Sequence, residues 1–208
     1  MSDLDNKLPE EEYTEQESKP QMPAKNSFVK ELIAQIELIV IAFAVIILMF
    51  SFVARTSRVD GNSMENTMHH NEFLLVSNLF YSPQKEDIVV FHQTGVKFNE
   101  PIVKRVIGLP GDTVKIEYFP NTMKVTVTDK NGNSKVLEED YMKYVDTRPF
   151  GYNDTVVYVE EGTVFVMGDN RNHSADSRNP YIELVDQRRI LGKVVLRLFP
   201  ISRFGAVD

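Results

Sequence analysis

The sequence predicts a mainly β protein, a coiled or barrel-like antiparallel sheet system behind one N-terminal transmembrane helix. Three observations predict it. From Leu38 to Ala54 no charged residue occurs, and the stretch 38–50 is almost wholly apolar. Beyond Arg58, short stretches alternate polar with apolar residues, the period of a half-buried strand. Outside the apolar run, strong helical periodicity is absent.

Taken in order, residues 1–31 are rich in Glu, Lys, Pro, Ser and Gln and are expected to be a disordered acidic tail, because such a segment buries too little apolar surface to offset the entropy of ordering. Residues 32–54 read as the membrane span: Leu32, Ile33 and Ile36 extend the apolar run toward the ~20 residues that cross a bilayer core. A buried core helix would show a polar face, and none is visible. A cleaved leader would have a shorter apolar stretch, a short basic start and a small-x-small exit. Here the leader is acidic and the exit is Phe52-Val53-Ala54-Arg55, so the run is expected to be an uncleaved anchor. Residues 55–208 then form the β domain. Strands are expected at 73–76, 87–91, 101–107, 113–118, 123–128, 135–137, 155–159, 163–167 and 194–198, with Asn131-Gly132 as a hairpin turn.

Composition excludes several chemistries. The formal charge is −7, with eight acidic residues against four lysines in the first 31 positions, and no basic stripe that would suit nucleic acid. There are no cysteines, which removes disulfides, thiolate catalysis and Cys-based metal sites. His69-His70 lacks the HExxH spacing of a zinc helix, and neighbouring side chains on a strand point to opposite sides, so they are expected to be surface histidines and not metal ligands. Ser82-Pro83-Gln84-Lys85 fits an S-x-x-K pattern, but that pattern needs a helix, and Gln93-Thr94-Gly95 lacks the lysine of its companion motif.

What remains is Ser63, in the turn Asp60-Gly61-Asn62-Ser63-Met64 after the span, with Lys104. A serine needs a neighbouring base, and a lysine serves only when neutral, which burial favours. If 101–107 is a strand, Lys104 shares its face with Ile102 and Val106 while Arg105 points away.

Ser63-Met64, Asp87–Phe91, Lys104-Arg105 through Gly111-Asp112, and Gly168-Asp169-Asn170-Arg171 with Ser174-Ala175-Asp176-Ser177-Arg178 resemble, in order and spacing, the successive boxes of bacterial type I signal peptidases. The resemblance covers roughly residues 30–205 and implies a serine endopeptidase with a Ser–Lys dyad, in the single-span form of Gram-positive bacteria. It implies that Ser63 is the nucleophile and Lys104 the general base, that Ser174 positions the amine, and that the pairs Asp169–Arg105 and Asp176–Arg178 stiffen the site. Val59, Gly61, Met64, Ile102 and Val103 are the expected substrate-binding residues.

The family cuts signal peptides from exported preproteins after small residues at −1 and −3, through an acyl-enzyme and without metal or cofactor. The implied setting is the cell membrane, with the tail cytoplasmic, the catalytic domain on the outer face, and residues 113–162 a variable β insertion. Implied partners are secretory preproteins, the lipid bilayer and the Sec translocation machinery, with no nucleic acid. Three positions depart from the family pattern: Asn66 replaces a frequent Pro, Glu86 a frequent Gly, and Gly61 a serine that completes the oxyanion hole in some members. Two alternatives stay open. One is an inactive membrane-tethered β domain that binds extended peptides or envelope partners. The other is a self-cleaving repressor, for which the DNA-binding segment is missing.

Overall fold

The computed structural model describes residues 24–93, 100–120, 122–142 and 153–207. By internal contacts the chain divides into two units, Met1–Ile47 and Leu48–Asp208.

The first unit is dominated by α1, which runs Ala24–Val53 and passes into the start of the second unit. Its window Phe28–Leu48 has a mean hydropathy of 2.5 and buries no part of itself against protein. At 1.5 Å per residue those 21 residues extend about 31 Å, matching a hydrocarbon core of about 30 Å. The helix starts earlier than the sequence suggests, taking in positions 24–31 that composition assigns to the tail. Once an apolar helix exists, adding one residue makes a hydrogen bond without a new nucleus, so Ala, Lys and Glu upstream extend it readily. Pro23 precedes the first helical residue, the end of a helix that proline tolerates. The disorder expected for 1–23 lies outside the described residues.

The β domain is mainly antiparallel sheet, as its alternation predicts. We number its strands β1 (Ala54–Arg58), β2 (Phe73–Ser77), β3 (Ile88–Phe91), β4 (Ile102–Gly108), β5 (Thr113–Phe119), β6 (Thr122–Thr128), β7 (Ser134–Val136), β8 (Thr155–Tyr158), β9 (Thr163–Met167), β10 (Val185–Asp186) and β11 (Ile190–Phe199). A curled seven-stranded sheet has the order β1-β2-β11-β3-β4-β9-β10, and a four-stranded sheet the order β7-β6-β5-β8. All pairings are antiparallel.

The second sheet comes from the residues expected to form the β insertion. Its hairpin turns at Asn131-Gly132, where the Asp129 carboxylate accepts from the Asn131 and Asn133 N–H groups. β5 and β6 alternate buried and exposed positions, and their inner residues Val114, Ile116, Val125 and Val127 form one core with Ile107, Phe165 and Met167 of the larger sheet. β4 is different: every residue from Val103 to Gly108 is buried, because β3 and β9 flank it and a core lies on each face.

Candidate active site

Three segments converge on one cleft. The first is the turn after β1. Gly61 takes φ +87°, a conformation costly for residues with a Cβ, and so lets the chain reverse ahead of Ser63. Met64 and Val59 on either side of the turn are buried in the core beneath it, which fixes where the hydroxyl stands.

The second segment is β4. The Lys104 amine donates to Ser63 Oγ at 2.7 Å and to the Val103 carbonyl at 2.9 Å. Lys104 is 3 % exposed. Burial disfavours the ammonium and pushes the amine down to about 8, while the Asp176 and Asp169 carboxylates pull it the other way. An unperturbed lysine is neutral in about one molecule in several thousand at pH 7; at about 8 the neutral share becomes about one in ten.

The third segment is the loop after β9. Gly168 can only be glycine: a Cβ there would stand 2.2 Å from Ser174 Oγ and 2.5 Å from the Ser63 carbonyl oxygen. Asn170 ties the loop to the serine turn, its N–H donating to Ser63 O at 3.0 Å and its side-chain amide to Asn62 O at 3.0 Å. Ser174 is buried beside Gly168, and its hydroxyl bonds to Asp176.

Two fork-to-fork ion pairs brace the loop. Arg105 donates through Nε and Nη2 to the Asp169 carboxylate at 3.0 and 2.9 Å, and Arg178 likewise to Asp176 at 2.8 and 2.8 Å. Burial alone would raise the Asp176 carboxyl; Arg178 overrides it and holds the group below its ordinary range. Because each carboxylate is matched by its own guanidinium, their pull toward the Lys104 ammonium is partly offset, and burial prevails.

The cleft, about 350 Å³, is lined by Val59, Met64, Ile102, Val103 and Ala175, with Ser63 and Lys104 at its floor and Asp60 and Glu100 at its exposed rim. Gly61, expected among the substrate-binding residues, is exposed, and its N–H donates to His70 Nδ1 at 3.1 Å. The two adjacent histidines sit in a turn and not on a strand; His70 stands 3.2 Å from Asp60, and His69 is near Glu72 and Arg203. Lys85 of the S-x-x-K stretch is ion-paired to Asp112 at 2.9 Å.

Sequence reasoning gave no role to several residues that hold this site. Thr67 Oγ1 donates to Asp169 at 2.5 Å. Arg171, fully buried, pairs with Glu139, and the Tyr141 ring lies 3.9 Å from the Arg105 guanidinium carbon. Asn170 and Arg171 stand inside a recognised box and could have been marked from it. Glu139 and Tyr141 belong to the insertion, where a run of acidic residues gives no such signal.

Comparison with known proteins places the chain among signal peptidases. The sequence model of the family described as "Signal peptidase, peptidase S26" matches residues 32–199. A probable signal peptidase I-1 of Synechocystis is 34 % identical over 193 residues, covering 88 % of this chain and 89 % of that protein. A signal peptidase IB of Staphylococcus aureus is 32 % identical over 192 residues, covering 84 % and 93 %. A crystal structure of a signal peptidase I from Enterococcus faecalis V583 is 33 % identical, with a TM-score of 0.41 over 55 % of this chain and 98 % of that one. The chain belongs to the S26 signal peptidase family: it is a hydrolase, a serine protease of the kind that processes signal peptides.

Proposed function

We propose that the chain removes N-terminal signal peptides from exported preproteins, cutting after small residues at −1 and −3, with Ser63 as nucleophile and Lys104 as general base. The observation that carries this reading is the 2.7 Å contact between Lys104 Nζ and Ser63 Oγ, made by an amine whose burial favours the neutral form.

The preprotein enters as an extended strand beside β4. β9 pairs with β4 only from Arg105 onward, and among the described residues no strand pairs with 102–104 on that side. A peptide added there makes main-chain hydrogen bonds and presents alternate side chains to the cleft. The small side chains at −1 and −3 then enter the cleft lined by Val59, Met64, Ile102 and Val103.

Ser63 Oγ attacks the carbonyl carbon while its proton passes to Lys104 Nζ. The developing oxyanion is met by the Ser63 backbone N–H, since Gly61 offers no hydroxyl. Lys104 then gives its proton to the departing amine nitrogen as the C–N bond breaks, leaving an ester on Ser63. A water attacks that ester, its proton passes through Lys104 to Ser63, and the signal peptide leaves with a free carboxylate. Ser174 and the two ion pairs keep the amine aimed at the hydroxyl. The tail faces the cytoplasm and the β domain the outer side.

The direct test incubates the detergent-solubilised chain with a preprotein and maps the cut by mass spectrometry. A cut after a small-x-small motif that disappears in Ser63→Ala supports the reading. A preprotein left intact by folded wild type would instead favour a tethered peptide-binding domain.

A further inference from the structure

Beyond the residues assigned above stands a strap from the insertion that reaches the back of the site. Residues 137–142 leave the four-stranded sheet at Leu137, whose N–H donates to the Val125 carbonyl at 2.9 Å. Leu137 and Met142 pack against the core that β5 and β6 share with the larger sheet, so both ends of the strap are anchored in that core. Between them, Glu139 and Tyr141 point toward the other sheet's charged loop.

The Glu139 side chain is only 5 % exposed, and it takes both terminal nitrogens of Arg171, one at 2.7 Å. Tyr141 donates to Glu139 Oε1 at 3.1 Å and lies under the Arg105 guanidinium, a cation–π contact. Arg171 in turn donates through Nε to the Gly168 carbonyl at 3.0 Å. Gly168 is the residue wedged between Ser174 and Ser63. A continuous chain of contacts thus runs from Glu139 through Arg171 and Gly168 to the serine turn.

Charge makes Glu139 hard to replace. Asp169 is taken by Arg105 and Thr67, and Asp176 by Arg178. Glu139 is the carboxylate paired with Arg171. Removing it strands a buried guanidinium, which must find water or another acceptor and so release the Gly168 carbonyl.

We infer that Glu139 is a positioning residue for the reaction: by clamping Arg171 it fixes Gly168, and through Gly168 the mutual placement of Ser63, Ser174 and Lys104. The β insertion is therefore part of the catalytic apparatus and not only a peripheral elaboration of the sheet. This rests on the Ser63–Lys104 reading above.

The test uses the full chain in detergent with a preprotein substrate, each kcat normalised to the folded fraction from a melting curve. Wild type and Ser63→Ala are measured first: no cleavage by wild type, or cleavage surviving in Ser63→Ala, would overturn the Ser63–Lys104 reading itself, whatever Glu139 does. With that reading intact, Glu139→Gln is expected to lower kcat per folded molecule about ten- to hundredfold, as misplacement remote from the reacting atoms does. KM is expected to hold, because the strap does not touch the cleft. The double variant Glu139→Gln/Arg171→Met removes the stranded charge and serves also if the single variant does not fold. It is expected to recover stability but keep the low kcat, because the Arg171 hydrogen bond to the Gly168 carbonyl is lost. Wild-type kcat per folded molecule in either variant would overturn the inference.

Discussion

β4 and β6 are each seven residues long, and each carries a lysine at its third position, Lys104 and Lys124. The two lysines meet opposite fates. Lys124 is exposed, opposite Glu117 on the neighbouring strand, on the solvent face of the smaller sheet. Lys104 lies on a central strand covered on both faces, and its amine meets a serine hydroxyl. Local sequence separates them in part: Lys104 shares its strand face with Ile102 and Val106, Lys124 with Thr122 and Thr126. Placement in the sheet decides, because removing water from an amine changes its chemistry while leaving one in water does not.

The difference can be broken from the active-site side first. Ser63→Ala or Lys104→Ala is expected to lower kcat by about three orders of magnitude or more, with the fold intact on a melting curve. Either variant cleaving at the wild-type rate would remove the distinction between the two lysines. Next in size is Arg178→Met, which strands the buried Asp176 carboxylate. It is expected to cost about 3–5 kcal/mol of stability. The unmatched carboxylate also favours the ammonium of Lys104, so the pH–rate curve of the folded fraction moves to higher pH.

On the side of the smaller sheet, Ile116→Ala empties space in a fully buried core position of β5. It is expected to cost about 2–5 kcal/mol in denaturant titration while leaving kcat per folded molecule unchanged. A matching loss of kcat there would mean that the site feels core packing in general.

The smallest effect concerns the stability of Lys104 itself. Its folded value of about 8 lies below the ordinary value of 10.5. The unfolded chain therefore binds the proton more tightly. The penalty is fully present below about pH 8 and is lost as pH rises toward 10.5. Lys104→Met is thus expected to stabilise the domain by about 3 kcal/mol at pH 7 and by little above pH 10.5. Equal effects at both pH values would contradict the burial argument.

The same contrast shows what the sequence makes legible. Strands facing water on one side display their period, so β5 and β6 can be read residue by residue from their alternation. β4 hides its burial, because both of its faces are covered and its two charged residues, Lys104 and Arg105, are themselves buried, one on each face. β1 reads Ala-Arg-Thr-Ser-Arg, with no apolar stripe, and β10 has only two residues; pairing with β2 and β9 makes strands of them. Within the site, the residues standing in recognised boxes are brought together around Ser63 and Lys104. Glu139 could not be read, because Leu137-Glu138-Glu139-Asp140 has the look of a solvated charge run. Only the return of the strap across the fold reveals that one of those carboxylates is buried against an arginine.

The most direct measurement is the pH dependence of kcat/KM for preprotein cleavage, which reports the free enzyme's essential groups. A base that works as the neutral amine gives a rate that rises with pH through about 8 and then levels. A rate flat from about pH 6 to 10 would contradict a titrating lysine at the centre of this site.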